Sequence, residues 1–152
     1  MTSGPIRIKS SRTVAAPAAH LYDILADYRG GHPSILPARA FDDLIVERGG
    51  RGDGTVIYFG MRSFGKTRWS RASVHEPEPG RVLVERILDD KGIVTTFTVD
   101  PLEDDVAEVT IETTWTPRGP GALFERLLAP PYLRSVYAEE LGNLEKVATG
   151  AL

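Results

Sequence analysis

The sequence predicts an α+β domain: a seven-stranded curved antiparallel sheet wrapped around a long C-terminal helix, with two short helices after the first strand. Three observations point there. Between Phe41 and Trp115, six strand-like runs follow one another across short turns, and such turns join adjacent antiparallel strands rather than βαβ units. On either side of this block the apolar spacing changes from a period of two to a helical one. The chain has 152 residues and no cysteine, so residues 1–152 are expected to form one domain whose core needs no disulfide.

The first strand is "IRIKSSRTV", with Ile6, Ile8 and Val14 spaced among polar residues. In "AAPAAHLYDILADY", Pro17 suits a first helical turn, where its missing N–H costs nothing. Leu21, Ile24, Leu25 and Tyr28 then recur at i, i+3, i+4 and i+7 as one apolar stripe. Gly30 and Gly31 stop this helix, and "HPSILP" leaves room for at most one short helical turn between Pro33 and Pro37.

Two strands flank the turn "GGRGDG", whose glycines supply positive φ. Four more are separated by "EPEPG", "DDKG" and "PLEDD". The last alternates most cleanly, with Val109, Ile111, Thr113 and Trp115 on one face. After Pro117 the chain turns helical to about Thr149. Phe124, Leu127 and Leu128 form an apolar patch, Pro130 and Pro131 are expected to break or kink the helix, and Leu133, Val136, Tyr137, Leu141, Leu144 and Val147 resume the spacing.

Composition narrows the function. A net charge of −3 argues against a dedicated nucleic-acid binder. Arg62, Lys66, Arg68 and Arg71 do cluster around Phe64 and Trp69, but a solvated hairpin face is the simpler reading. Met1–Ser10 lacks the apolar centre of a signal peptide, and no run is long enough for a membrane span, so a cytoplasmic protein is expected.

Seven curled strands make a bowl that one helix, about 10 Å across, is too slender to fill. A cavity between sheet and helix is the expected remainder, and concave apolar spaces of this kind hold small molecules. The segments "RTVAAPAAHLYDILADY", "HPSILP", "VERGGRGDGTVIYF" and "ASVHEPEPGRVLVE", followed by the C-terminal helix, resemble in order and spacing the START-related, birch-pollen-allergen-like (SRPBCC) superfamily. The likeness is to its bacterial polyketide cyclase/dehydrase and lipid-transport branch. It implies the helix-grip fold and, more loosely, a small hydrophobic ligand: a lipid, polyketide, isoprenoid or aromatic metabolite. It also implies that the short second helix sits beside the open end of the cavity, with Ile35 and Leu36 at the mouth; plugging the end as ordinary core is the other reading.

Strand parity names the candidate ligand contacts. Phe97, Val99, Ile111, Thr113 and Trp115 are expected to face inward, opposite Phe124, Leu128, Leu133, Val136 and Tyr137 of the helix. Tyr58 and Trp69 join them with their orientation open, because their strands are apolar or charged on both faces. In "RVLVERIL" either Glu85 or Arg86 faces inward or, more simply, a twisted or edge strand leaves both wet. A buried Glu85 would need a partner such as Arg62 or Arg71 and would then anchor a head group or transfer protons.

Acid–base alternatives are few. His20, Asp23 and Asp27 share a helix face, yet opposite the apolar stripe, so hydration rather than metal binding is expected. His75 should be exposed, and His32, near the mouth, should cap or meet solvent. "GGRGDG" lacks the following helix of a phosphate loop, and no serine sits in a nucleophile elbow. No metal or cofactor is expected. The leading expectation is a carrier or sequestering protein, monomer or homodimer. The alternatives are a cyclase-, aromatase- or dehydratase-like enzyme using Glu85, His32 and a tyrosine such as Tyr58, and a protein-interaction module with an incidental cavity.

Overall fold

A computed structural model describes residues 4–89 and 91–150. The elements in chain order are β1 (Ile6–Val14), α1 (Ala18–Ala26), α2 (Gly31–Ile35), β2 (Phe41–Arg48), β3 (Val56–Ser63), β4 (Lys66–Glu78), β5 (Val82–Ile87), β6 (Val94–Glu103), β7 (Val106–Trp115) and α3 (Ala122–Thr149). The strands form one sheet in the order β1-β7-β6-β5-β4-β3-β2, each antiparallel to its neighbours. From β2 to β7 the sheet is a meander. The first strand closes it by pairing with the last, from Ile6 opposite Trp115 to Val14 opposite Ala107.

Alternation fixes the inner face. On β7, Ala107, Val109, Ile111, Thr113 and Trp115 are buried while the residues between them are half-buried. Across the ladder Val99 pairs with Val109 and Phe97 with Ile111, so one apolar surface runs continuously under α3. A slip of one residue would turn this surface to water, which is why the register is strongly specified. No helix among the described residues is long and apolar enough to cross a membrane.

Three boundaries differ from the sequence reading. α1 ends at Ala26, so Tyr28 lies beyond the helix rather than on its stripe, although it is fully buried. Its backbone N–H donates to the Gly50 carbonyl at 2.9 Å, and Gly52 N–H donates to the Ala26 carbonyl at 3.0 Å. The "GGRGDG" turn therefore docks on the end of α1 and sets where Tyr28 points. β6 continues through Pro101 to Glu103 with a register shift, a bulge that tolerates the missing donor. α3 runs unbroken through Pro130 and Pro131. The carbonyls those prolines leave unpaired, on Arg126 and Leu127, lie on the exposed half of the helix, where water can satisfy them.

At the α1–α2 junction, a Cβ on Gly31 would lie 2.5 Å from the Ile24 carbonyl oxygen, so only glycine lets α2 fold back on α1. Asp27 accepts bonds from the backbone N–H groups of Arg29, Gly30 and Gly31 at 3.0–3.2 Å. These bonds, led by that from Gly31, hold its carboxyl below the usual range. From the far side, Asn143 of α3 donates to the Ile35 carbonyl at 3.0 Å.

Candidate functional site

The tight α1–α2 turn delivers His32 to the interior, where it is 2% exposed. Its Nδ1 lies 2.7 Å from the Leu25 carbonyl, which can only accept, so Nδ1 carries the hydrogen. The ring thus caps a carbonyl left free near the end of α1. Its other nitrogen, Nε2, is 3.5 Å from Glu85 Oε2 on β5. Imidazole and carboxyl thus face each other, an ion pair whenever the ring is protonated.

Tyr28 stacks on His32 with ring centroids 4.4 Å apart and donates its hydroxyl to the same Glu85 oxygen at 2.6 Å. Phe97 meets the imidazole edge-on at 5.3 Å. Burial, reinforced by the Glu85 charge and hydrogen bond, pushes the Tyr28 hydroxyl well above its ordinary range. It stays a donor at neutral pH.

A second carboxyl completes the group. Glu140 of α3 is 2% exposed, and burial together with the nearby Glu85 raises its pKa well above 4.5. Beside it, Tyr137 shares a short hydrogen bond with Thr113 at 2.6 Å, and Thr113 another with Thr95 at 2.7 Å. Burial likewise keeps Tyr137 protonated.

His32, Glu85, Thr95, Thr113, Tyr137 and Glu140 form the polar floor of a cavity of about 400 Å³ between the sheet and α3, with Tyr28 behind Glu85. The walls above are apolar, with Phe41, Phe59, Ile87 and Trp115 facing Leu133 across the space. At the mouth stand Phe64 from the β3–β4 hairpin and Phe124 and Leu128 from α3, exposed at 63%, 68% and 44%. Trp115 is held by an indole N–H bond to Glu125 at 2.9 Å. The expected remainder between bowl and helix is thus a real, amphipathic space.

Nine of the residues named from sequence line this cavity. Leu36, Glu85, Phe97, Thr113 and Trp115 come from α2's end and the sheet, and Phe124, Leu128, Leu133 and Tyr137 from α3. Ile35, Val99, Ile111 and Val136 are fully buried core beside it. For Ile35 the plug reading therefore describes the structure, and the mouth lies elsewhere.

Tyr58 and Trp69 need correction. Inward positions on β3 are the odd-numbered Ile57, Phe59 and Met61, and on β4 the even-numbered Arg68 and Ser70. Tyr58 and Trp69 therefore stack on each other outside, 5.3 Å apart, with Arg71 over the Tyr58 ring. Glu85 does face inward, but neither proposed arginine meets it. Arg62 pairs with Asp42 at 2.9 Å and Arg71 with Glu47.

His20 reaches the Ala148 carbonyl and Asp23 pairs with Arg51, and no cluster able to hold a metal occurs among the described residues. His75 is half-buried on the outer face beside Ser73. Reading the sequence missed Tyr28 and Glu140 as polar site residues. For Glu140 a signal existed: an acidic residue at i+3 from Tyr137 and i+4 from Val136 sits on the buried stripe.

With this geometry in place, known proteins provide a comparison. The profile of the family described as polyketide cyclase/dehydrase and lipid transport matches residues 5–149. No curated protein matches the chain. Among solved structures, the KanY protein is 28% identical with a TM-score of 0.83, covering 96% of this chain and 99% of that one. Norcoclaurine synthase from Thalictrum flavum is 17% identical at a TM-score of 0.73, covering 97% and 88%. The Zhui aromatase/cyclase from Streptomyces sp. R1128 is 19% identical at 0.68, covering 97% and 93%. The last two likenesses speak for the fold alone.

Proposed function

The chain belongs to the polyketide cyclase/dehydrase and lipid transport family, and from that premise we propose that it takes a small, largely apolar molecule into its cavity as a carrier or sequestering protein of the cytoplasm. One observation carries this reading. A space of about 400 Å³ with aromatic and aliphatic walls lies over a hydrogen-bonding floor, so a guest is enclosed by its body and oriented by one polar end. The volume suits a molecule of drug-like size. Native mass spectrometry of protein purified from its own host tests it, together with uptake of a hydrophobic fluorescent probe. A retained molecule or saturable uptake is expected. Protein that comes out empty and takes up no probe overturns the reading and favours an interaction module.

The floor itself favours a second reading, acid–base catalysis of the cyclase or dehydratase kind. Such reactions need a shaped pocket and one or two groups that move protons. Tyr28 and His32 lie 2.6 and 3.5 Å from the same Glu85 oxygen, and burial makes Glu140 hold its proton more tightly than a free carboxyl. In this reading Glu85 and His32 exchange a proton with the substrate, while Tyr28 positions the carboxylate. Glu85→Gln and His32→Ala variants with undiminished turnover of a discovered substrate would remove it.

A further inference from the structure

We infer that the cavity floor is built for a basic nitrogen: the guest carries an amine at its inner end, beneath an apolar body. This rests on the reading that the cavity holds a ligand and names the class of ligand.

The argument starts from Glu140. Its carboxyl makes no hydrogen bond among the described residues although the side chain is 2% exposed. No fully enclosed side-chain nitrogen or oxygen among them lacks a partner. The free oxygens of Glu140 therefore open onto the cavity that it lines. A carboxyl removed from water without a partner is costly, so the missing partner is expected from the guest.

Charge decides what that partner is. Glu85 and Glu140 both face the floor, and the basic side chain beside them, His32, is engaged with Glu85. Tyr137, Thr113 and Thr95 add hydroxyls but no positive charge. The cations of the cavity wall, Arg68 and Lys91, are exposed side chains away from the floor, and Arg68 is paired with Asp89 at 2.8 Å.

A guest carboxylate placed at the floor would face two acids with no free cation. An alkylammonium would meet two acceptors. An ammonium beside Glu140 favours its ionised form, so amine binding releases protons to solvent.

A matched set of guests tests this. Decylamine, decanol and decanoate displace neutral N-phenyl-1-naphthylamine from the cavity, each below its micelle concentration. Decylamine is expected to act at a concentration at least about tenfold below decanol, with decanoate weakest. Calorimetry in buffers of different ionisation enthalpy should report proton release with the amine only. Glu140→Gln, nearly identical in shape, should erase the amine's advantage over decanol; Glu85→Gln should reduce it. Equal action of amine and alcohol, or preference for decanoate, overturns the inference while leaving the cavity a ligand site. Failure of the naphthylamine probe to bind at all removes the ligand-holding reading, and this inference with it.

Discussion

Two halves of α3 carry comparable apolar spacing and meet opposite fates. From Val136 to Leu144 the stripe is buried, with Val136, Leu141 and Leu144 at 1% exposure or less. From Leu123 to Leu128 the apolar residues are exposed at 44–68%. Beneath the C-terminal half the inner face of the sheet rises to meet the helix in a solid core with Ile8, Val99, Val109 and Ile111. The N-terminal half instead roofs the cavity mouth. Periodicity therefore tells which side of a helix is apolar, while the curvature of the sheet decides whether anything lies under it.

The strongest way to break this comparison is to truncate both halves. Leu141→Ala or Leu144→Ala should lower unfolding free energy by about 2–5 kcal/mol, the range for large-to-small changes in a packed core. Leu128→Ala should cost less than about 0.5 kcal/mol, as for surface positions. Urea denaturation compares them directly, and equal losses would mean that the two halves are packed alike.

The boundary between the halves is sharpened by pH. Burial makes Glu140 hold its proton more tightly in the folded chain than in the unfolded one, where its value is near 4.5. Above that pH the folded state binds more protons than the unfolded state, so stability falls as pH rises towards the folded value. Glu140→Gln should flatten that decline and gain on the order of 1–3 kcal/mol at the alkaline end. Thermal melts between pH 4.5 and 9 would show it, and parallel curves for the two proteins would contradict it.

The mildest effect on stability is expected in the hollow half. Ala129 lines the cavity from α3, and Ala129→Trp should fill it. Probe uptake should fall by about tenfold or more, with the melting temperature within a few degrees of the parent. Intrinsic and probe fluorescence on one sample separate the two, and unchanged uptake would place the guest elsewhere.

How much of this could be read from sequence follows from where each residue's fate is decided. β7 was legible because its alternation is strict and both faces differ in polarity, so Thr113 and Trp115 were assigned inward by parity alone. Tyr58 and Trp69 were not, because β3 and β4 carry large or charged side chains on both faces and only the register with neighbours settles the parity. Glu85 was legible as an ambiguity, but its partners come from residues 53 and 57 positions earlier, brought in by the α1–α2 turn. That turn depends on contacts between the Gly49–Gly54 loop and α1, which no local pattern announces.

The pairing of β1 with β7 also orders events during synthesis. Ile6 cannot find Trp115 until more than a hundred further residues have been made, which at about 5–20 residues per second takes on the order of 5–20 s on the ribosome. Throughout that interval the nascent meander has a free margin and a bare greasy lining, and the helix that must cover it emerges only after the strands. Until then the unfinished sheet exposes the kind of apolar surface that chaperones shelter.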